Sequence, residues 1–318
     1  MIPVKRVERR TKVLKKPAFG CLKGVPSVNL TRGCLHRCVY CYARVFPETP
    51  TREVHLYDNL VTRLADELSR SKRRGALPAV VTFSTASDLF QPHPEILAVA
   101  FEALKLLLNH GITISFLTKG RITKEFWDLF RDFPDLVRPR FGLVSLSLTY
   151  HGHFEPYTAS PFLRLKQMEK AASLGLKPAA RVDPIIPHVT DKEEQIYSLL
   201  RHLKNAGVEE VATSYLVLRP KVVQQMKREL PPALWALILA PYRGMPWVQV
   251  ITSATTKLVN PEHRKKGYRL FREIGQALGL KVRVCGCKNP DLPFEECLPW
   301  EIKENPKPQQ KSLFYETS

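Results

Sequence analysis

The segment "GCLHRCVYCYAR", residues 33–44, holds three of the chain's seven cysteines, Cys34, Cys38 and Cys41, with Tyr40 and Tyr42 on either side of the last. Soft thiolates suit iron–sulfur clusters, zinc and copper(I). A structural zinc site usually draws its fourth ligand from a second Cys or His pair, and His36 lies inside the loop between two of the thiols. Three thiolates at intervals of three and two residues wrap one corner of a cubane. That leaves one iron open for chemistry.

The elements that must position this loop are legible around it. Short β-branched runs occur at "SVNLT" (27–31), "AVVTFS" (79–84), "ITISFL" (112–117), "LVSLSL" (143–148), "AARVDPII" (179–186) and "VATSYLVL" (211–218). Helical patterns separate them. "VHLYDNLVTRLADEL" aligns Leu56, Leu60, Val61, Leu64 and Leu68 on one face. Ser160-Pro161 starts a further helix, and "TDKEEQIYSLLRHLKNAG" opens on Asp191 and closes on Gly207. Six βα units predict a parallel sheet, either a partial or complete barrel or an open doubly wound sheet, with the ligand site at the strand C-termini. Because the thiols follow the first strand, they fall on that face. Later signals are "WVQVIT" (247–252), a helix from Asn260-Pro261 and "KVRVC" (281–285); the remainder is rich in proline and polar residues.

The 318 residues are 44% apolar and 25% charged, and their formal charge is +19. Residues 1–26 carry eight Lys or Arg against Glu8, and "RSKRR" (70–74), "RPR" (138–140) and "HRKKGYR" (263–269) add further clusters. Such an excess predicts a polyanionic partner, nucleic acid first. No apolar run reaches membrane-span length, and "MIPVKRVERRTKVLKK" has no signal-peptide core, so the expectation is a cytoplasmic protein with no membrane partner. An odd number of cysteines in that setting argues for thiolate chemistry rather than a disulfide framework.

The Cys-x3-Cys-x2-Cys motif after a first strand, with an aromatic before its last cysteine, resembles the radical S-adenosylmethionine (SAM) superfamily, and "CVYCYAR" resembles its spore photoproduct lyase-like branch over roughly residues 27–220. The resemblance implies an α/β fold: a partial (β/α)6 TIM-like barrel (27–245), a basic N-terminal arm (1–26) and a cysteine-bearing C-terminal extension (246–318). It implies a 4Fe–4S cluster on Cys34, Cys38 and Cys41, SAM on the fourth iron, and reductive cleavage to a 5′-deoxyadenosyl radical that abstracts hydrogen. An electron donor such as ferredoxin or flavodoxin follows. Tyr40 is placed on the adenine side. Ser84 and Ser87 of "FSTASDLFQP", Lys119 of "FLTKG", Ser145 or Ser147 of "SLSLT", and Arg181 of "RVDPIIP" are the remaining candidate cofactor contacts. Tyr42 is a candidate catalytic residue. Thr85 stands where the lyase has its hydrogen-donating cysteine, and an O–H bond is too strong for that task, so repair by the lyase's own route is not expected.

Four cysteines lie outside the loop. Cys21, Cys285, Cys287 and Cys297 are read as ligands of an auxiliary iron–sulfur cluster, as a zinc site, or, for Cys285 or Cys287, as the replacement hydrogen donor. The favoured function is modification or repair of a nucleic-acid base. The alternatives are a radical SAM enzyme acting on a protein or small metabolite, and a non-catalytic iron–sulfur or zinc nucleic-acid-binding protein.

Overall fold

A computed structural model describes residues 2–17, 20–250, 255–293 and 295. Its centre is a seven-stranded sheet in which every neighbouring pair is parallel. Across the sheet lie β2 (Ser27–Val28), β5 (Val80–Phe83), β6 (Thr113–Thr118), β7 (Val137–Gly142), β8 (Ala179–Ile185), β9 (Glu210–Tyr215) and β12 (Lys281–Val284), in chain order without reversal. A doubly wound sheet reverses its strand order at a switch point; this one never does, so its crossovers all turn the same way and curl the sheet into a partial barrel. The strands are covered on both faces: all four residues of β5 are buried, and so are five of seven in β8.

Helices α1 (Leu60–Arg73), α2 (Pro94–Asn109), α3 (Lys124–Asp132), α5 (Pro161–Ser173), α6 (Glu193–Asn205) and α9 (Pro261–Ala277) form the connections, and α8 (Pro232–Leu239) precedes the last of them. Leu60, Leu64 and Leu68 are fully buried along α1, as their spacing predicts. Leu56, however, belongs to strand β4 (Val54–Tyr57), because Asp58 and Asn59 separate that strand from the helix. Ser160 caps α5 as expected, its Oγ accepting from the Leu163 amide at 3.3 Å. Helix α6 begins after Lys192 instead of Asp191, whose carboxylate accepts from Tyr215 (3.0 Å) and pairs with His263 (2.7 Å).

Two segments differ from the sequence reading in kind. The strand expected at 143–148 is β7, six residues earlier, and residues 148–154 form the short helix α4 (Leu148–Phe154). The strand carries Arg138, Pro139 and Arg140, residue types that argue against a central strand. Arg140 is 7% exposed, so "RPR" is not a surface cluster. "WVQVIT" begins a hairpin rather than a βα unit: β10 (Trp247–Gln249) pairs antiparallel with β11 (Thr255–Lys257).

The expected N-terminal arm is folded onto the body. Its strand β1 (Val4–Val7) pairs parallel with β4, which also pairs with β3 (Thr31–Arg32). The alternation of Val4 and Val54 with charged neighbours supplies the inner face. Val4, Val54, Leu56 and Ile96 cluster around Leu35 of the cysteine loop. The segment after residue 245 likewise contributes β12, an edge strand of the main sheet. Among the described residues no helix is long and apolar enough to cross a membrane.

Candidate active site

The strand C-termini open onto a cavity of about 580 Å³, within the roughly 300–1,000 Å³ typical of small-molecule sites. Cys34, Cys38 and Cys41 line it, and the loop carrying them is held from several directions. The Leu35 amide donates to Gln91 Oε1 (2.7 Å) and the Val39 amide to the Phe154 carbonyl (2.9 Å). Gln225 Nε2, on α7 (Pro220–Glu229), donates to the Val39 carbonyl (2.6 Å). Arg44 forms a bidentate pair with Glu229, both contacts at 2.8 Å, which makes it a support of the loop.

Beneath the loop lies a buried polar network. Tyr40 donates through its hydroxyl to Glu155, which also pairs with Arg164 at 2.6 Å; both charged residues are 1% exposed. Burial opposes the Glu155 charge, yet Arg164 and Lys119 hold its carboxyl below the usual range. Burial raises the Tyr40 phenol well above its ordinary value, so it stays a hydrogen-bond donor. Cys38 and Cys41 are also raised, by burial first. In this environment thiolates need a compensating positive centre, which a bound metal would supply.

Asp88 organises the opposite wall. Its Oδ1 accepts from the Phe90 amide and the Thr118 hydroxyl, and its Oδ2 from the Lys119 amide, each at 2.8 Å. His36 Nδ1 faces Asp88 Oδ2 at 3.4 Å. Burial disfavours the imidazolium, but Asp88 and Cys34 outweigh it and raise His36 to about 10. His36 is therefore a paired cation inside the loop rather than a neutral metal ligand.

The remaining predicted residues divide clearly. Lys119 lines the cavity, its Nζ 5.7 Å from the centre of the Tyr40 ring. Among the described residues this ammonium makes no ion pair or hydrogen bond. Gly142 leaves the room for it: a Cβ there would stand 2.8 Å from Lys119 Nζ. Ser87 also lines the cavity, and its Oγ is buried without a hydrogen-bond partner, as is Thr82 Oγ1. Such orphaned atoms are costly unless a ligand satisfies them. Ser84 reaches the cavity too, but in a left-handed conformation (φ 67°) with its Oγ accepting from the Leu89 amide (3.1 Å), so it shapes the turn. Ser147 does not line the cavity. It is exposed and caps α4, accepting from the Tyr150 amide at 3.2 Å, while Ser145 accepts from the Ser147 amide. The early end of β7 removes both serines from the strand end where a cofactor contact was expected.

Arg181 and Asp183 form an ion pair at 2.8 Å in the cavity wall, and Lys288 joins Asp183 at 2.7 Å. Burial opposes ionisation, yet Lys288 and Arg181 keep the Asp183 carboxyl below its usual range. Arg181 is thereby committed to Asp183 and to the Cys285 sulfur, 3.8 Å away. Tyr42 is 39% exposed, its hydroxyl donates to the Thr85 carbonyl (2.6 Å), and the Arg219 guanidinium lies 5.0 Å from its ring centre. Thr85 Oγ1 accepts from Asn29 Nδ2 (2.6 Å), and Asn29 Oδ1 accepts from the Ala86 and Ser87 amides.

Cys21, Cys285 and Cys287 line this same cavity, and the Cys21 and Cys287 sulfurs are 3.1 Å apart. Cys297 lies outside the described residues. Among the described residues no three Cys, His, Asp or Glu side chains converge on a single metal ion, in the loop or elsewhere. The three loop thiols, the unpaired Lys119 ammonium and the orphaned Ser87 hydroxyl fit a three-thiolate cluster beside an amino-acid carboxylate.

Residues 28–200, more than half of the chain, match the family model described as the Radical SAM superfamily. An uncharacterized protein of Mycobacterium tuberculosis is 29% identical over 221 residues, 64% of this chain and 62% of that one. An uncharacterized protein of Methanocaldococcus jannaschii is 25% identical over 52% of this chain and 62% of its own. The chain thus spans under two thirds of the length of these relatives. Spore photoproduct lyase complexed with dinucleoside spore photoproduct superposes with a TM-score of 0.67 at 18% identity, covering 89% of this chain and 82% of the lyase. A radical SAM methyltransferase of Kitasatospora setae gives 0.56 at 12% identity, over 82% and 54%. With the family model aligned across the cysteine loop and four of the six barrel strands that follow it, the chain belongs to the radical SAM superfamily.

Proposed function

We propose that the protein is a radical SAM enzyme that abstracts hydrogen from a nucleic-acid substrate and so modifies or repairs a base. Membership of the superfamily supports an enzyme that carries a 4Fe–4S cluster and SAM. When bound, that pair supplies reductive cleavage of SAM to a carbon-centred radical. Cys34, Cys38 and Cys41 hold the cluster. Lys119 and Ser87 face the carboxylate and amino end of SAM, and Tyr40, fixed by Glu155, supports the loop from behind. An acidic one-electron carrier such as ferredoxin or flavodoxin suits the basic surface as electron donor.

The substrate reading rests on Tyr42: an exposed aromatic face inside the cavity with a guanidinium 5.0 Å away. Aromatic faces that stack bases, next to cations that meet phosphates, are how single-stranded nucleic acid is held. Arg37, Lys119 and Arg219 line the cavity beside Arg181 and Lys288, which are committed to Asp183, and its other carboxylate, Asp88, faces His36. The lyase of similar fold was solved with a dinucleoside, which supports the same class. Thr85, bonded to Asn29, offers no thiol where that lyase's hydrogen donor is expected, so a different fate for the substrate radical is proposed.

Deuterated oligonucleotides, DNA and RNA, incubated with reduced protein and SAM test this directly. Transfer of deuterium into 5′-deoxyadenosine is the expected result. Formation of 5′-deoxyadenosine with no label from either polymer, alongside labelling from a deuterated peptide or metabolite, would move the substrate to another class.

A further inference from the structure

Cys21 and Cys287 are 266 residues apart in the chain, yet their sulfurs approach to 3.1 Å. Their place in the fold gives this meaning. A partial barrel has an open side between its first strand, β2, and its last, β12. Cys21 lies on the turn Gly20–Leu22 just before β2, and Cys287 on the turn Gly286–Lys288 just after β12. The two thiols therefore meet across the open seam, and both face the cavity.

The seam is built for close sulfur contact. The Cys21 amide donates to Cys287 Sγ at 3.0 Å, a hydrogen bond that a thiolate accepts more strongly than a thiol. Gly20 has φ 55°, and any Cβ there would collide with Cys287 Sγ, so the approach requires glycine. Neither sulfur is sealed in the core; both residues are partly exposed. A disulfide bond is about 2.0 Å long, so closure asks for a movement of about 1 Å in two short turns.

We propose that Cys21 and Cys287 form a thiol–disulfide pair that closes the barrel seam covalently, with Cys287 attacking and Cys21 resolving. The oxidant is a low-molecular-weight disulfide. Cys287 thiolate attacks one of its sulfurs and expels a thiolate, giving a mixed disulfide. Cys21 thiolate then attacks Cys287 Sγ and expels the second thiolate. Two protein thiols lose two electrons and two protons, and the oxidant becomes two thiols. In the oxidised form the turn before β2 and the turn after β12 are one covalent wall of the cavity; in the reduced form, the one seen here, they meet only through non-covalent contacts.

The test uses the anaerobically reconstituted full chain equilibrated with glutathione and glutathione disulfide at a series of ratios. Remaining thiols are quenched by alkylation and the digest is mapped by mass spectrometry. A peptide pair linking Cys21 to Cys287 is expected at oxidising ratios, reversed by dithiothreitol. The oxidised protein should unfold at a higher temperature, since the link closes a long loop. In Cys21→Ser, Cys287 should accumulate instead as its glutathione mixed disulfide. Alkylation of both residues at every ratio would overturn the proposal, as would a link from Cys287 to Cys285 or Cys297. Metal or extra iron that protects Cys287 from alkylation, and is lost in Cys287→Ser, would overturn it in favour of a ligand role. The wild-type map decides the question even where a variant folds poorly.

Discussion

Lys119 and Ser87 show what a single residue contributes here. An ammonium that makes no direct ion pair or hydrogen bond among the described residues, beside a buried hydroxyl without a partner, is an arrangement that folding alone does not favour. Replacing Lys119 with Met keeps the stem and removes the charge. We expect SAM affinity to fall by about 1.5–3 kcal/mol, roughly 10- to 150-fold, with iron content unchanged, as read by calorimetry and iron assay. Weaker binding together with lost iron would assign Lys119 to the loop instead. Cys34→Ala, Cys38→Ala or Cys41→Ala should each remove the roughly four irons of a cubane and its visible absorbance. The thiols were legible because three soft ligands at that spacing have few other uses. Their supports were not: Gln91, Glu155, Gln225 and the half-buried Glu229 come from distant segments, and nothing local in the sequence marks a glutamine or glutamate as a partner of the loop.

At the level of elements, α4 shows why the rest was harder to read. "LVSLSL" alternates like a strand, but Ser147 offers a helix cap, and the strand itself is the unpromising "VRPRFG" whose arginines tertiary packing absorbs. Ser145 and Ser147, the alternatives for one cofactor contact, moved with that boundary. Helix α4 ends at Phe154, and the next residue, Glu155, joins it to both the cysteine loop and α5. Glu155→Gln should destabilise the protein by about 3–5 kcal/mol at neutral pH, because Arg164 loses its buried partner. The folded carboxyl sits below its ordinary 4.5, so its contribution is present above that pH and fades as the pH falls through the lower folded value. Denaturant titrations should therefore show wild type and variant converging in acid. A constant difference down to strongly acidic pH would contradict the ionised pair.

For the molecule as a whole, the βα units and the thiols at a strand end marked the working face in the sequence and left barrel and open sheet both possible. The barrel followed from the family resemblance of the cysteine motif, and the seam between the chain's two ends was invisible. No local pattern pairs residue 21 with residue 287, and none shows that the basic N-terminal segment adds a strand beneath the loop. The +19 charge bears on partners more than on fold. If about four phosphates are neutralised, log K for a single-stranded oligonucleotide should fall against log salt with a slope of about −3. A flat response would remove nucleic acid as the polyanion. The most direct measurement is simpler still: chromatographic detection of 5′-deoxyadenosine after the anaerobically reconstituted, dithionite-reduced protein is given SAM. Wild type should form it and Cys38→Ala should not; no 5′-deoxyadenosine from iron-replete wild type, or equal amounts from both, would contradict the radical SAM chemistry assigned to this loop.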